Sequence, residues 1–155
     1  MTTHSAHVND AEKFAKTVAT AVGAVFLLVG VLGFIPGITT DYDSMTFADH
    51  DSGAQLLGIF EVSVLHNIVH LVFGIAGLAA ARNARQVAPY LFGAAAIYLV
   101  LTIYGVLIDK ESSANFVPVD SADNWLHLAL AAGMVALGLA VKKRLDADTT
   151  APTTR

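Results

Sequence analysis

The residues best suited to chemistry are His66, His70, Asp123 and His127. His66 and His70 stand four apart, as do Asp123 and His127, so each pair shares one face of a helix. Imidazole nitrogens and carboxylate oxygens are ligands that zinc, copper and iron accept. Two histidines at i and i+4 offer both nitrogens to one ion, although no HExxH motif is present. All four residues are thus candidate ligands for a divalent metal. His70 and His127, from separate segments, would alternatively serve as the axial pair of a haem inside a helix bundle. A third role is proton handling, because imidazole titrates near neutral pH and can pair with Asp123. The plainest role is structural: His and Asn side chains bridge helices by hydrogen bonds worth about 0.6 kcal/mol on average in lipid. Asn67 and Asn124 fit that role as a polar helix-packing network.

The rest of the chain shows what must position these groups. Of 155 residues, 55% are hydrophobic and 14% charged, with mean hydropathy +0.60; soluble domains carry about a quarter charged residues. The charge-poor runs 17–35, 62–81, 87–108 and 123–141 each come close to the roughly 20 residues that cross a bilayer as a helix. The expected fold is all-α: a polytopic membrane protein built as a bundle of four transmembrane helices. The membrane domain would cover 17–144, with tails at 1–16 and 145–155, the first of them mobile. The run at 17–35 is long for a signal-peptide core and no small-x-small site follows it, so it is expected to remain as a span. Pro89 is expected in the first turn of the third helix, where proline is tolerated.

Lys and Arg set the orientation. Lys13, Lys16, Arg82, Arg85, Lys142, Lys143, Arg144 and Arg155 fall on one side and only Lys110 on the other. Basic flanks mark the cytoplasmic face, which predicts a multi-pass protein of the cell (cytoplasmic) membrane with both termini inside. The acidic loops, with Asp41, Asp43, Asp49 and Asp51 in one and Asp109, Glu111 and Asp120 in the other, then lie outside. Tyr90, Tyr104 and Trp125 sit near span ends, as amphipathic rings prefer. At 1.5 Å per residue His66 would lie roughly 6 Å and His70 roughly 12 Å below the outer boundary. Glu61, at the outer start of the second helix, is a candidate proton or cation site. His50 could join Asp41 and Asp43 around a divalent cation, but the loop lacks the glycine and terminal glutamate of a calcium loop and reads as a solvated acidic segment.

His66-Asn67-Ile68-Val69-His70-Leu71 parallels Asp123-Asn124-Trp125-Leu126-His127-Leu128, each opening an outer-to-inner helix. The chain therefore reads as two tandem helical hairpins related by an axis along the membrane normal. Gly23, Gly30, Gly33, Gly74, Gly77, Gly133 and Gly138, with Ala132, Ala136 and Ala140, read as seams of close helix packing. Cysteine is absent, nine Lys and Arg make no broad phosphate-binding surface, and no P-loop, GxSxG or dinucleotide motif occurs. The expected partners are the lipid bilayer and either further copies of the chain or a larger membrane complex, without nucleic acid. Three functions fit. The favoured one is a structural or interaction bundle; the others are a metal- or haem-binding redox or sensory protein, and a small oligomeric transporter or channel.

The stretch from Leu57 to Leu71, including Glu61-Val62-Ser63 and His66-Asn67-Ile68-Val69-His70, together with Ala122-Asp123-Asn124-Trp125-Leu126-His127-Leu128, resembles a family of small four-helix membrane proteins of actinobacteria, domain of unknown function 4383. Gly33-Phe34-Ile35-Pro36-Gly37 and Ala114-Asn115-Phe116-Val117-Pro118 follow the same pattern. The resemblance covers nearly all of the chain between the tails. It implies four spans in a bacterial cell membrane, and it implies no activity, substrate or cofactor.

Overall fold

The computed structural model describes residues 2–49, 52–112, 114–117 and 119–150, with the backbone alone for 2–9 and 149–150. His50, Asp51, Pro118 and Arg155 lie outside the described residues. Away from water a backbone must close its own hydrogen bonds, and a helix does so within one segment. Each apolar run does this: α1 spans Thr2–Leu32, α2 Val64–Ala80, α3 Ala84–Leu107 and α4 Ser121–Thr150. The all-α bundle expected from the sequence is the observed fold. Three helices, α1, α3 and α4, are long and apolar enough to cross a membrane, while α2 is a shorter apolar helix of 17 residues. The outer faces carry Val25, Leu28, Val72, Ile75, Val100 and Val106, all exposed. Monomeric soluble proteins rarely show contiguous apolar surface on that scale, and it is consistent with a membrane protein.

The helices associate as two hairpins, α1 with α2 and α3 with α4. Gly23, Gly74 and Gly77 bring α1 and α2 into contact: a Cβ on Gly23 would stand 2.9 Å from the Gly74 carbonyl oxygen. On α4 the packed residues are Ala131, Met134, Gly138 and Val141, whereas Ala132, Gly133 and Ala136 face outward. The Ala132/Ala136 repeat is thus an outer ridge rather than an internal seam, because the buried stripe runs through Ala131, Met134, Gly138 and Val141 instead. Tyr90 also joins the helix packing. Its hydroxyl donates to the Phe73 carbonyl (3.1 Å), and its ring covers Gly77.

Between α1 and α2 the expected acidic loop is a small cap. Strands β1 (Thr39–Thr40), β2 (Gln55–Leu56) and β3 (Phe60–Glu61) form an antiparallel sheet in the order β1-β2-β3. Its inner side buries Ala54, Leu56 and Val62 against Val29, Leu32 and Ile38, so the apolar residues of the loop, rather than its aspartates, decide its shape. Glu61, expected at the outer boundary of the second helix, stands on β3 opposite Gln55, three residues before α2 begins. The helix starts later because Ser63 caps it, its hydroxyl accepting the His66 N–H at 3.1 Å.

Three helix ends differ from expectation for local reasons. Asn83 caps α3 by accepting the Arg85 N–H (3.1 Å), so α3 begins at Ala84 and Pro89 falls in its second turn. α1 reaches back to Thr2 and α4 on to Thr150, into the segments read as tails. Both extensions carry their own contacts: Ala11 and Ala15 are buried, Leu145 packs on the core, and the Arg144 guanidinium lies 3.8 Å from the centre of the Phe14 ring. The i,i+4 pairs Glu12–Lys16 (3.7 Å) and Lys142–Asp146 (3.0 Å) add helical support.

Candidate functional site

Helix caps fix where the polar cluster begins. In α2, Ser63 is the cap and His66 the third helical residue. In α4, Asp120 plays the Ser63 part: its carboxylate accepts the Asp123 N–H at 2.7 Å, and the Asp123 carboxylate accepts the Asp120 N–H at 3.2 Å. This is a reciprocal capping box. Asp123 is the returning partner of the box, 1% exposed, with the backbone of Glu61 also against its carboxylate.

One residue further, the two asparagines do the same job in the two hairpins. Asn67 lies on Gly33 of the first hairpin and Asn124 on Gly105 of the second, each so close that a Cβ on the glycine would overlap the amide. The Asn124 amide donates to the Gly105 carbonyl (2.9 Å), and the Asn67 amide to the Met45 sulfur (3.8 Å). One turn deeper, His70 meets Phe26 edge-on at 5.4 Å, and His127 meets Tyr98 at 5.1 Å. Phe26 and Tyr98 stack on each other at 5.9 Å, while His66 stacks on His70 at 4.5 Å. A continuous chain of rings therefore runs His66, His70, Phe26, Tyr98, His127 through the middle of the bundle.

The correspondence is regular. One step of 72 residues carries α1 onto α3 (Phe26 to Tyr98, Gly33 to Gly105), and one of 57 carries α2 onto α4 (Ser63 to Asp120, Asn67 to Asn124, His70 to His127). The buried residues Ala15, Ala19 and Gly23 map in the same way onto the buried Val87, Leu91 and Ala95. The duplication suspected from six residues thus extends through the packed core.

Two cavities flank the rings. One of about 150 Å³ is bounded by His66, His70, Phe73, Tyr98 and His127. The other, of about 120 Å³, lies under the β-cap and is bounded by His66, His70, Asp123, His127 and apolar side chains including Phe60. All four candidate ligands thus border one space. Among the described residues, however, no three His, Asp or Glu side chains are grouped so that one metal ion could be held. Phe26 and Tyr98 link His70 to His127 through successive ring contacts. His70 is 9% and His127 4% exposed, and Nδ1 of each is buried without a hydrogen-bond partner.

Sequence reasoning singled out neither Phe26 nor the ring of Tyr98. The Thr102 hydroxyl donates to the Tyr98 carbonyl (2.8 Å), and the ring of Tyr98 belongs to the site. Aligning Gly33 with Gly105 would have paired Phe26 with Tyr98. Trp125 points outward, 73% exposed.

The model of a family described as a domain of unknown function (DUF4383) matches residues 16–140. No curated protein and no solved structure matches the chain.

Proposed function

We propose a function for this chain, which belongs to the DUF4383 family, from its duplicated imidazole core: it is an integral membrane protein that binds a small molecule at His70 and His127. All four helices would cross the bilayer. The 17 residues of α2 cover about 26 Å, near the hydrocarbon thickness once the β-cap extends the outer end. Lys13, Lys16, Arg82, Arg85, Lys142, Lys143 and Arg144 support an orientation with both termini cytoplasmic and the cap outside.

One observation carries the binding reading. Two imidazoles at equivalent places in the two hairpins each bury Nδ1 without a partner. Leaving a buried polar group unpaired costs about 1–3 kcal/mol, and an apolar side chain of similar shape would avoid that cost. Unpaired buried groups of this kind call for a role beyond packing. Both histidines line cavities, and a molecule bound there would supply the missing hydrogen bond.

Organic extraction and mass spectrometry of the protein purified in mild detergent test this. A small molecule should accompany the wild type and be depleted in His70→Leu and His127→Leu. Equal content in all three proteins would contradict the reading.

A further inference from the structure

The two histidines are reached from the side. A groove of about 380 Å³ runs between α1 and α4, walled by Val25, Val29, Leu126 and Leu130, with His70 in its lining. Under the same 72- and 57-residue steps, these residues become Ile97, Leu101, Val69, Phe73 and His127, which all line the 150 Å³ cavity between α2 and α3. Each hairpin junction therefore carries an equivalent recess, apolar except for imidazole and, in the second, Tyr98. Val25, Val69, Ile97 and Leu126 are exposed on the outer surface, so both recesses face the hydrocarbon of a surrounding bilayer. The first is the more open because Ala129 and Gly133 line it, and a Cβ on Gly133 would meet no atom within 4 Å.

Depth and shape narrow the occupant. His70 and His127 each lie six residues inside their helices, roughly 9 Å along the axis. That is below the layer where phospholipid esters and headgroups reside. An oxygen that meets imidazole there belongs to a molecule dissolved in the hydrocarbon. Phe26 lines the first recess and Phe73 and Tyr98 the second, surfaces on which a flat ring stacks well. We infer that the recesses take a quinone-class molecule, a flat ring bearing carbonyl oxygens on an apolar tail, which arrives laterally from the bilayer and accepts a hydrogen bond from His70 or His127. The inference rests on the binding-site reading above and adds the ligand class and its route.

Decylubiquinone is a suitable probe, with the full-length protein in phosphatidylcholine nanodiscs. Trp125 is the only tryptophan, and it adjoins Leu126 of the larger recess, so its quenching reports binding there. Quenching should saturate in the wild type. His70→Leu removes the hydrogen bond, and Gly133→Leu fills a recess that has room for it; each should weaken binding about tenfold. Linear quenching, equal in all three proteins, would overturn the inference. Zinc chloride and hemin are titrated in parallel. If either binds in a His70-dependent way while decylubiquinone does not, the binding site stands and the quinone assignment fails. If no probe shows His70 dependence, both fail.

Discussion

Replacing His127 by leucine should stabilise the ligand-free protein, and replacing His70 should leave its stability nearly unchanged. Each imidazole buries one unpaired nitrogen, and removing it returns about 1–3 kcal/mol. Leucine forfeits one ring contact at His127, with Tyr98 at 5.1 Å, and two at His70, with Phe26 at 5.4 Å and His66 at 4.5 Å, each worth about 0.5–1.5 kcal/mol. The difference favours the His127 variant by about 1 kcal/mol, or about 2–4 °C in melting temperature for a chain of this length, and is near zero for the His70 variant. The assay is reversible unfolding in mixed micelles followed by far-UV circular dichroism. Protein must first be stripped of bound small molecules, since any ligand of the native state adds its own stabilisation. A loss of 1 kcal/mol or more (about the size of one net hydrogen bond) in both variants would show that the imidazoles are satisfied packing groups, and would refute the reasoning.

Other outcomes follow from the packing. Gly33→Ala and Gly105→Ala drive a methyl into Asn67 and Asn124 and should each cost about 1–3 kcal/mol in the same unfolding assay. Gly133→Ala meets open space and should be neutral or stabilise by up to about 1 kcal/mol, as expected for alanine in place of glycine in a helix. Asp120→Ala breaks the capping box of α4 and should cost about 1 kcal/mol, with faster hydrogen exchange in the first turn of α4. Phe14→Leu removes the ring under Arg144 and should cost about 0.5–1 kcal/mol, read as earlier proteolysis at the α1 and α4 ends.

Helix positions were legible because charge-free runs of membrane length have few alternatives, and the Asn/His repeat was legible because polar residues stand out in an apolar alphabet. The α1–α3 half of the repeat was hidden: Phe26 against Tyr98 and Ala15 against Val87 share burial but not identity. The cap was hidden for a different reason. Its strands have two residues each and are held by Leu56 and Val62 against α1, a tertiary effect that no local period announces. Glu61 was placed at the helix boundary without its strand, because only the Ser63 cap tells strand from helix there. The unpaired nitrogens of His70 and His127 could not be read at all, since hydrogen-bond satisfaction depends on what the neighbouring helices bring.

The most direct test of a duplicated intramembrane binding site is solid-state NMR of protein carrying nitrogen-15 histidine in lipid bilayers, with and without decylubiquinone. Of six histidines, His70 and His127 should show Nδ1 without a hydrogen bond in the ligand-free protein and shift when the quinone is added, with both signals lost in the matching leucine variants. Nδ1 resonances already hydrogen-bonded before addition and unmoved after it would contradict the account.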